Sequence, residues 1–280
     1  MIAASLVMMR DDPCYAQSVP AESADLCAQF IEACTSSVVV RNLRRPWMRC
    51  LTRIVEKVTI PGILRHYALR KKRISDIVHH AITSGTTQVV VLGAGFDPLG
   101  ILLHREYPSI GIWELDHLAT QKIKAEVSGI NPGRFHFISV DLAAANLDTI
   151  RLPENGFLIA KQTIWIAEGL LMYLHPDTVR DLFQHAAAMS APGSRFIFTC
   201  MTGAPDAAIR FERQSKVVDW WLRRQAEPFR WSATPATLPV QIEPWRISRI
   251  FDAGDLRALN SLPPTAPLAA GELVCLSEVA

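Results

Sequence analysis

Gln88-Val-Val-Val-Leu-Gly-Ala-Gly-Phe-Asp97 is the stretch that decides the fold. Val89 to Leu92 make an unbroken apolar run rich in β-branched residues, the pattern of a parallel strand buried on both faces. Gly93-Ala94-Gly95 closes the run, and the two glycines permit a tight turn in which the backbone approaches a bound molecule with no Cβ in the way. A strand that enters such a turn and leaves it as a helix opens an α/β nucleotide-binding unit. A glycine pair alone also describes an ordinary strand-to-helix turn, so the neighbouring residues must identify the ligand.

A dinucleotide site takes G-x-G-x-x-G, whose third glycine lets the helix pack closely and aim its N-terminus at a pyrophosphate. Pro98 stands at that third position and Asp97 precedes it. A carboxylate there repels a diphosphate and suits a cation. S-adenosylmethionine (SAM) carries an ammonium and a sulfonium and no phosphate, so the turn fits it better than NAD.

With 280 residues and 49% hydrophobic content, the chain can bury one sizeable core. The net charge of +2 gives no long-range field, so neither a nucleic-acid nor a membrane partner is expected. Cysteines 14, 27, 34, 50, 200 and 275 include no C-x-x-C pair, and they read as reduced thiols of a cytoplasmic protein with no metal site. The apolar opening Ile2 to Met9 is too short to span a membrane and lacks the basic start of a signal peptide.

Residues 1–70 read as an N-terminal helical cap, with Leu26, Phe30 and Ile31, then Leu51, Ile54, Val55 and Val58, at helical spacing. The basic cluster Arg41 to Arg53 reads as a solvated helix face in preference to a polyanion patch. A further helix is expected from Ile63 to Ser84, and its run Arg70-Lys71-Lys72-Arg73 can turn only one or two cations inward. One of them could meet the carboxylate of an amino-acid-like cofactor. His79 and His80 read as solvent-facing.

Beyond the glycine turn, Leu99 to Arg105 predicts a crossover helix and Ile110 to Asp116 a second strand. Glu114 and Asp116 share a face of that strand. An acid about 20 residues past the turn is where nucleoside-binding α/β folds hold the ribose, for NAD and SAM alike. A helix over 118–127, a turn at Asn131-Pro132-Gly133 and the strand Phe135 to Val140 lead to Asp141-Leu142, where the acid suits an adenine amino group or a helix cap. Trp165 to Ala167 make another buried strand, and Glu168 sits where it stops.

Taken together, Gln88 to Asp97, Glu114-Leu-Asp116 with Lys122 behind it, Asp141-Leu142, and Ala167-Glu-Gly-Leu-Leu-Met-Tyr-Leu174 resemble the successive motifs of the leucine carboxyl methyltransferase family, a class I SAM-dependent group that includes bacterial small-molecule and polyketide O-methyltransferases. The resemblance covers roughly residues 65–200. It implies a Rossmann-like, seven-stranded, mostly parallel sheet over residues 71–280, with a helical lid insertion at about 204–232. It puts Arg70 on the SAM carboxylate and Gly93, Ala94, Gly95 and Asp97 against the methionine part. Asp116 would hold the ribose, Asp141 and Leu142 the adenine, and Glu168 would lie beside the ammonium, with Glu114 also counted among the cofactor-binding residues. Leu99-Gly100, His117-Leu118 and Ala143 depart from the arginines and proline common in the family, so the acceptor cannot be copied from relatives.

The remaining sequence predicts a helix over 177–189, a strand over 195–200, an aromatic-rich insertion with Phe211, Trp220, Trp221 and Phe229, and a last strand over 272–277. Tyr173 and His175 are the candidates to touch an acceptor, though packing or a loop role explains each of them better. With no oriented base in the motifs, a small-molecule carboxylate is the favoured acceptor, because it is ionised at neutral pH. The alternatives are another O, N or S nucleophile, an NAD-linked oxidoreductase, and a catalytically silent SAM-binding protein. The oligomeric state is not encoded in any motif.

Overall fold

The computed structural model describes residues 2–279 except 14, 132, 145–149, 151, 204–207 and 225–227. Cys14, the centre of the 131–133 turn, parts of the 204–232 insertion and the side chain of Trp221 therefore lie outside the described residues.

The strands are β1 (Gln88–Leu92), β2 (Gly111–Asp116), β3 (Phe135–Ser139), β4 (Thr163–Ala167), β5 (Arg195–Met201), β6 (Trp245–Phe251) and β7 (Glu272–Val279). They form a seven-stranded sheet in the order β3-β2-β1-β4-β5-β7-β6. β1 to β5 run parallel, and β7 enters antiparallel between β5 and β6. This is the α/β architecture expected above. The strand order reverses between β1 and β4, and the crevice at the carboxyl ends of those two strands is where such sheets bind ligands.

Period-two alternation sorts the side chains into two buried layers. Val90, Leu92, Trp113, Trp165, Phe196 and Phe198 point to one face, where they meet Phe183 and Trp245. Val89, Val91, Ile112, Ile164, Ile166 and Ile197 point to the other and meet Leu69, Ile74 and Val78. Both faces are covered, which is why these strands read as continuous apolar runs.

The N-terminal helices are α1 (Ile2–Arg10), α2 (Ala21–Cys34), α3 (Ser37–Leu43), α4 (Pro46–Thr59) and α5 (Ile63–Thr83). Leu26 and Phe30 of α2 pack into the same layer as β1, and the Cys27 thiol lies 3.7 Å from the Phe96 carbonyl in the loop after β1. α6 (Leu99–Glu106), α7 (Leu118–Ser128) and α8 (Pro176–Ala188) are the crossover helices. α9 (Lys216–Arg224) lies in the insertion, and α10 (Leu238–Gln241) and α11 (Ala253–Leu259) flank β6. β6 is a strand that the sequence pattern does not show. Its charged residues Arg246 and Arg249 and a register shift between Ile247 and Arg249 break the alternation of this edge strand.

Candidate ligand site at the β1 and β4 strand ends

The turn after β1 is left-handed at both glycines, with φ of 66° at Gly93 and 49° at Gly95. A side chain on Gly93 would press on Leu170, whereas nothing lies within 4 Å of where one would stand on Gly95. The second half of the turn therefore faces open space. Its amide is held by Asp116, whose Oδ2 accepts the Gly95 N–H at 2.5 Å while Oδ1 accepts that of His117 at 2.6 Å.

Below the turn, α5 supplies the cations. The Lys71 ammonium donates to Asp97 Oδ2 at 2.8 Å and to Glu168 Oε2 at 3.2 Å, so acids from the ends of β1 and β4 converge on one nitrogen. Arg70, 2% exposed, lies behind Glu168 and donates from Nε to its Oε1 at 3.0 Å. Arg70 Nη1 meets both oxygens of Glu272 at 2.8 and 3.0 Å, and His66 Nε2 lies 2.6 Å from Glu272 Oε2. His66, Tyr67, Arg70 and Lys71 lie three or four residues apart and so share one side of α5.

Buried charges are tolerated when paired, and the protonation of this network follows from its pairing. Burial pushes the Glu272 carboxyl up, but the Arg70 guanidinium and His66 outweigh it and hold it at about 2. Burial likewise opposes the charge on Asp97, yet the Lys71 ammonium keeps its carboxyl below the usual range. Lys71, disfavoured by burial, is held above its ordinary value by Asp97 and Glu168. Glu272, Asp97, Lys71 and Arg70 are each thereby held in the charged form.

A cavity of about 680 Å3 adjoins the cradle, lined at one end by Lys71, Asp97 and Glu168 and at the other by Gln17, Ser23 and His79. That volume lies in the range of small-molecule sites. Next to Glu168, the turn Leu171–Tyr173 carries the Tyr173 ring, which packs 5.4 Å from Phe229. The segment bearing Phe229 is fixed over this turn by the Arg230 N–H, which donates to the Met172 carbonyl at 2.7 Å.

Several expected site residues are brought together and others are not. Gly93, Ala94, Gly95, Asp97, Asp116 and Glu168 gather at the strand ends. Leu142 is buried nearby in the core layer, and the exposed Asp141 accepts the Ala143 N–H at 2.9 Å. Arg70 departs from its expected place. Like Gly93, Gly95 and Asp116 it does not line the cavity; its guanidinium is engaged by Glu168 and Glu272, and Lys71 and Lys72 are the α5 cations in the lining. Glu114 is fully buried beneath Gly100 in a 2.5 Å ion pair with Lys124, which also donates to the Asp97 carbonyl. It props the turn from below and does not face a ligand. His175 is an exposed cap of α8 whose Nδ1 accepts the Asp177 N–H, the loop role and not the acceptor role. His79 is half-buried, with Glu106 3.0 Å from its Nε2.

Sequence reading missed Lys71 as the central cation, and His66, Tyr67 and Glu272 altogether. The signal was available: a polar set at helical spacing within an apolar helix, and an acid opening an apolar strand.

The reversed strand order, the glycine turn and the acids at three strand ends define a Rossmann-like fold of the methyltransferase type. The family profile of leucine carboxyl methyltransferases matches residues 11–187, and the chain belongs to that family. A protein of Frankia alni, provisionally named an S-adenosyl-L-methionine-dependent methyltransferase, is 32% identical over 147 residues, 48% of this chain and 47% of its own. One from Mycobacteroides abscessus with the same provisional name is 35% identical over 162 residues, 55% and 51% of the two chains. The chain therefore spans about half the length of the curated relatives it matches. A Thermobifida fusca structure, provisionally described as a methyltransferase, shares the fold with a TM-score of 0.61 at 15% identity, covering 90% of this chain and 94% of that one. A DUF574 family protein from Streptomyces avermitilis gives 0.58 at 14% identity, covering 78% and 85%.

Proposed function

We propose that this protein transfers the methyl group of SAM to a carboxylate oxygen of a small molecule. The observation that carries the reading is the convergence of Asp97 and Glu168 on a single ammonium, that of Lys71, at the open end of the sheet. A cradle that takes one primary ammonium takes the amino group of the donor once Lys71 turns into the adjoining cavity, and it rejects a diphosphate. The provisional names of the relatives agree with this donor. The Asp116 carboxylate spends two lone pairs on backbone amides and keeps about two more for ribose hydroxyls. Asp141 and Leu142 would border the adenine.

When bound, the donor supplies a methyl group already activated by its sulfonium. The chain's own part is to align the acceptor and exclude water, an effect that supplies about 7–11 kcal/mol in favourable cases. Tyr67, Tyr173 and Phe229, which pack on a third core cluster outside the cavity lining, would supply aromatic surface for that purpose. The choice of acceptor rests on the described residues that line the cavity, among which His79 is the one imidazole. His79 has both ring nitrogens engaged within the protein, Nδ1 at 2.7 Å from the Ser75 carbonyl and Nε2 at 3.0 Å from Glu106. A carboxylate needs no base, since its reference pKa is about 4.

Calorimetry tests the donor site. Asp116→Ala and Glu168→Gln, each with an unchanged circular dichroism spectrum, should bind SAM about tenfold more weakly than the parent, roughly the loss of one charge-assisted contact. Unchanged affinity in both would show that the donor lies elsewhere. For the acceptor, labelled SAM with a panel of organic acids, phenols and amines should yield a base-labile methyl ester by mass spectrometry. A base-stable ether or methylamine as the only product would move the reading to another nucleophile.

A further inference from the structure

α4 is built inside out. Its one fully buried residue is Glu56, whose Oε1 accepts the Leu64 N–H at 3.0 Å, while Trp47, Leu51, Ile54, Val55 and Val58 stand exposed. Spacings of four, three, one and three place those five side chains in one stripe along the helix. Trp47 is 51% exposed and Val58 68%. Arg49, Arg53 and Lys57 recur every fourth residue along one border of the stripe. At the end of α4 the Ser215 N–H donates to the Thr59 carbonyl at 2.8 Å, and α9 follows with Val217 and Trp220 exposed.

The charge of this face is as lopsided as its hydropathy. Residues 37–59 hold the cations Arg41, Arg44, Arg45, Arg49, Arg53 and Lys57 against the single, buried acid Glu56, while the rest of the chain carries more acids than bases. Arg44 and Arg53 are paired with Asp25 and Asp12, Arg49 donates to the Arg44 carbonyl at 3.4 Å, and Arg41, Arg45 and Lys57 are exposed. The near-zero net charge, from which no membrane partner is expected, conceals this cluster.

We propose that the α4 face is a docking surface for an anionic lipid bilayer, on which α4 lies flat. An apolar stripe with a tryptophan near its start and cations along its edge is the arrangement of an interfacial helix, which sinks its apolar side chains about 5–10 Å into the headgroup boundary while the cations meet lipid phosphates. No described helix is long and apolar enough to cross a membrane, so the contact is peripheral. A second copy of the chain is the poorer occupant, because a two-fold contact would set the same arginines against one another. This inference is independent of the methyl-donor reading.

Sedimentation of the full chain with large unilamellar vesicles tests it. The protein should pellet with phosphatidylcholine vesicles containing about 30% phosphatidylglycerol and at least about fivefold less with phosphatidylcholine alone, and salt should weaken the binding. The double variant Leu51→Glu, Ile54→Glu changes only exposed positions, so it should keep the parental melting temperature and lose about tenfold or more of the vesicle affinity. Protein that stays in the supernatant with anionic vesicles overturns the proposal. So does a variant that binds them like the parent, and so does a dimer seen by analytical ultracentrifugation that the variant abolishes while vesicles leave the parent unbound.

Discussion

α4 and α5 are consecutive helices, both rich in cations, and they solve opposite problems. α5 turns Arg70 and Lys71 inward, where Glu168, Glu272 and Asp97 neutralise them, and buries Leu69, Ile74, Ile77 and Val78 around them. α4 turns its arginines and its apolar stripe outward and buries a glutamate. Composition does not separate the two helices. What separates them is which face the rest of the fold has partners for: β1 and β4 end in acids beneath α5, whereas the apolar stripe of α4 stands exposed. A cation inside is committed to one geometry, whereas a cation outside beside apolar surface is available to something else.

The contrast can be broken at graded cost. The largest effect is expected at Glu272→Gln, which leaves Arg70 and His66 without their shared anion and should lower unfolding free energy by about 3–5 kcal/mol in urea titrations. The same pair sets a pH dependence. Glu272 is held at about 2, below its ordinary 4.5, so its stabilisation is present above pH 4.5 and is lost as pH falls from 4.5 through about 2. The parent and Glu272→Gln should therefore converge in acid and diverge towards neutrality. Ile74→Val, at a fully buried site on α5, should cost about 0.5–1.5 kcal/mol by the same titration. Ile54→Glu on α4 should change stability by no more than about 0.5 kcal/mol, despite putting a charge where an isoleucine stood. Arg44→Ala, which removes an exposed ion pair with Asp25, should fall within measurement error of the parent melting temperature. If Ile54→Glu proves as costly as a core change, α4 is packed and the comparison fails.

The sheet was legible because strands covered on both faces announce themselves: Val89 to Leu92 and Trp165 to Ala167 admit no other reading. The glycine turn and the acids Asp97, Asp116 and Glu168 were legible for a related reason, since a polar residue ending an apolar run needs a purpose. β6 stayed hidden because an edge strand with one solvated face and a register shift tolerates arginines in its middle. Glu114 was misjudged because it shares a face with Asp116 but lies two residues deeper in the strand, where that face is covered by α6 and α7. The roles of Arg70 and Lys71 could not be separated along a run of four cations, since which one reaches the opening depends on acids far away in sequence. The outward stripe of α4 was visible as periodicity, but periodicity does not say whether an apolar face has found anything to cover it.

Arg70 and Glu272 are 202 positions apart, and Glu272 opens the last strand of the sheet. While the chain is being synthesised, α5 emerges early, but the anion that fixes its arginine arrives only near the end. The cradle is therefore among the last parts of the molecule to take shape, and a nascent or clipped chain lacking β7 would keep its glycine turn while losing the anchor behind Glu168.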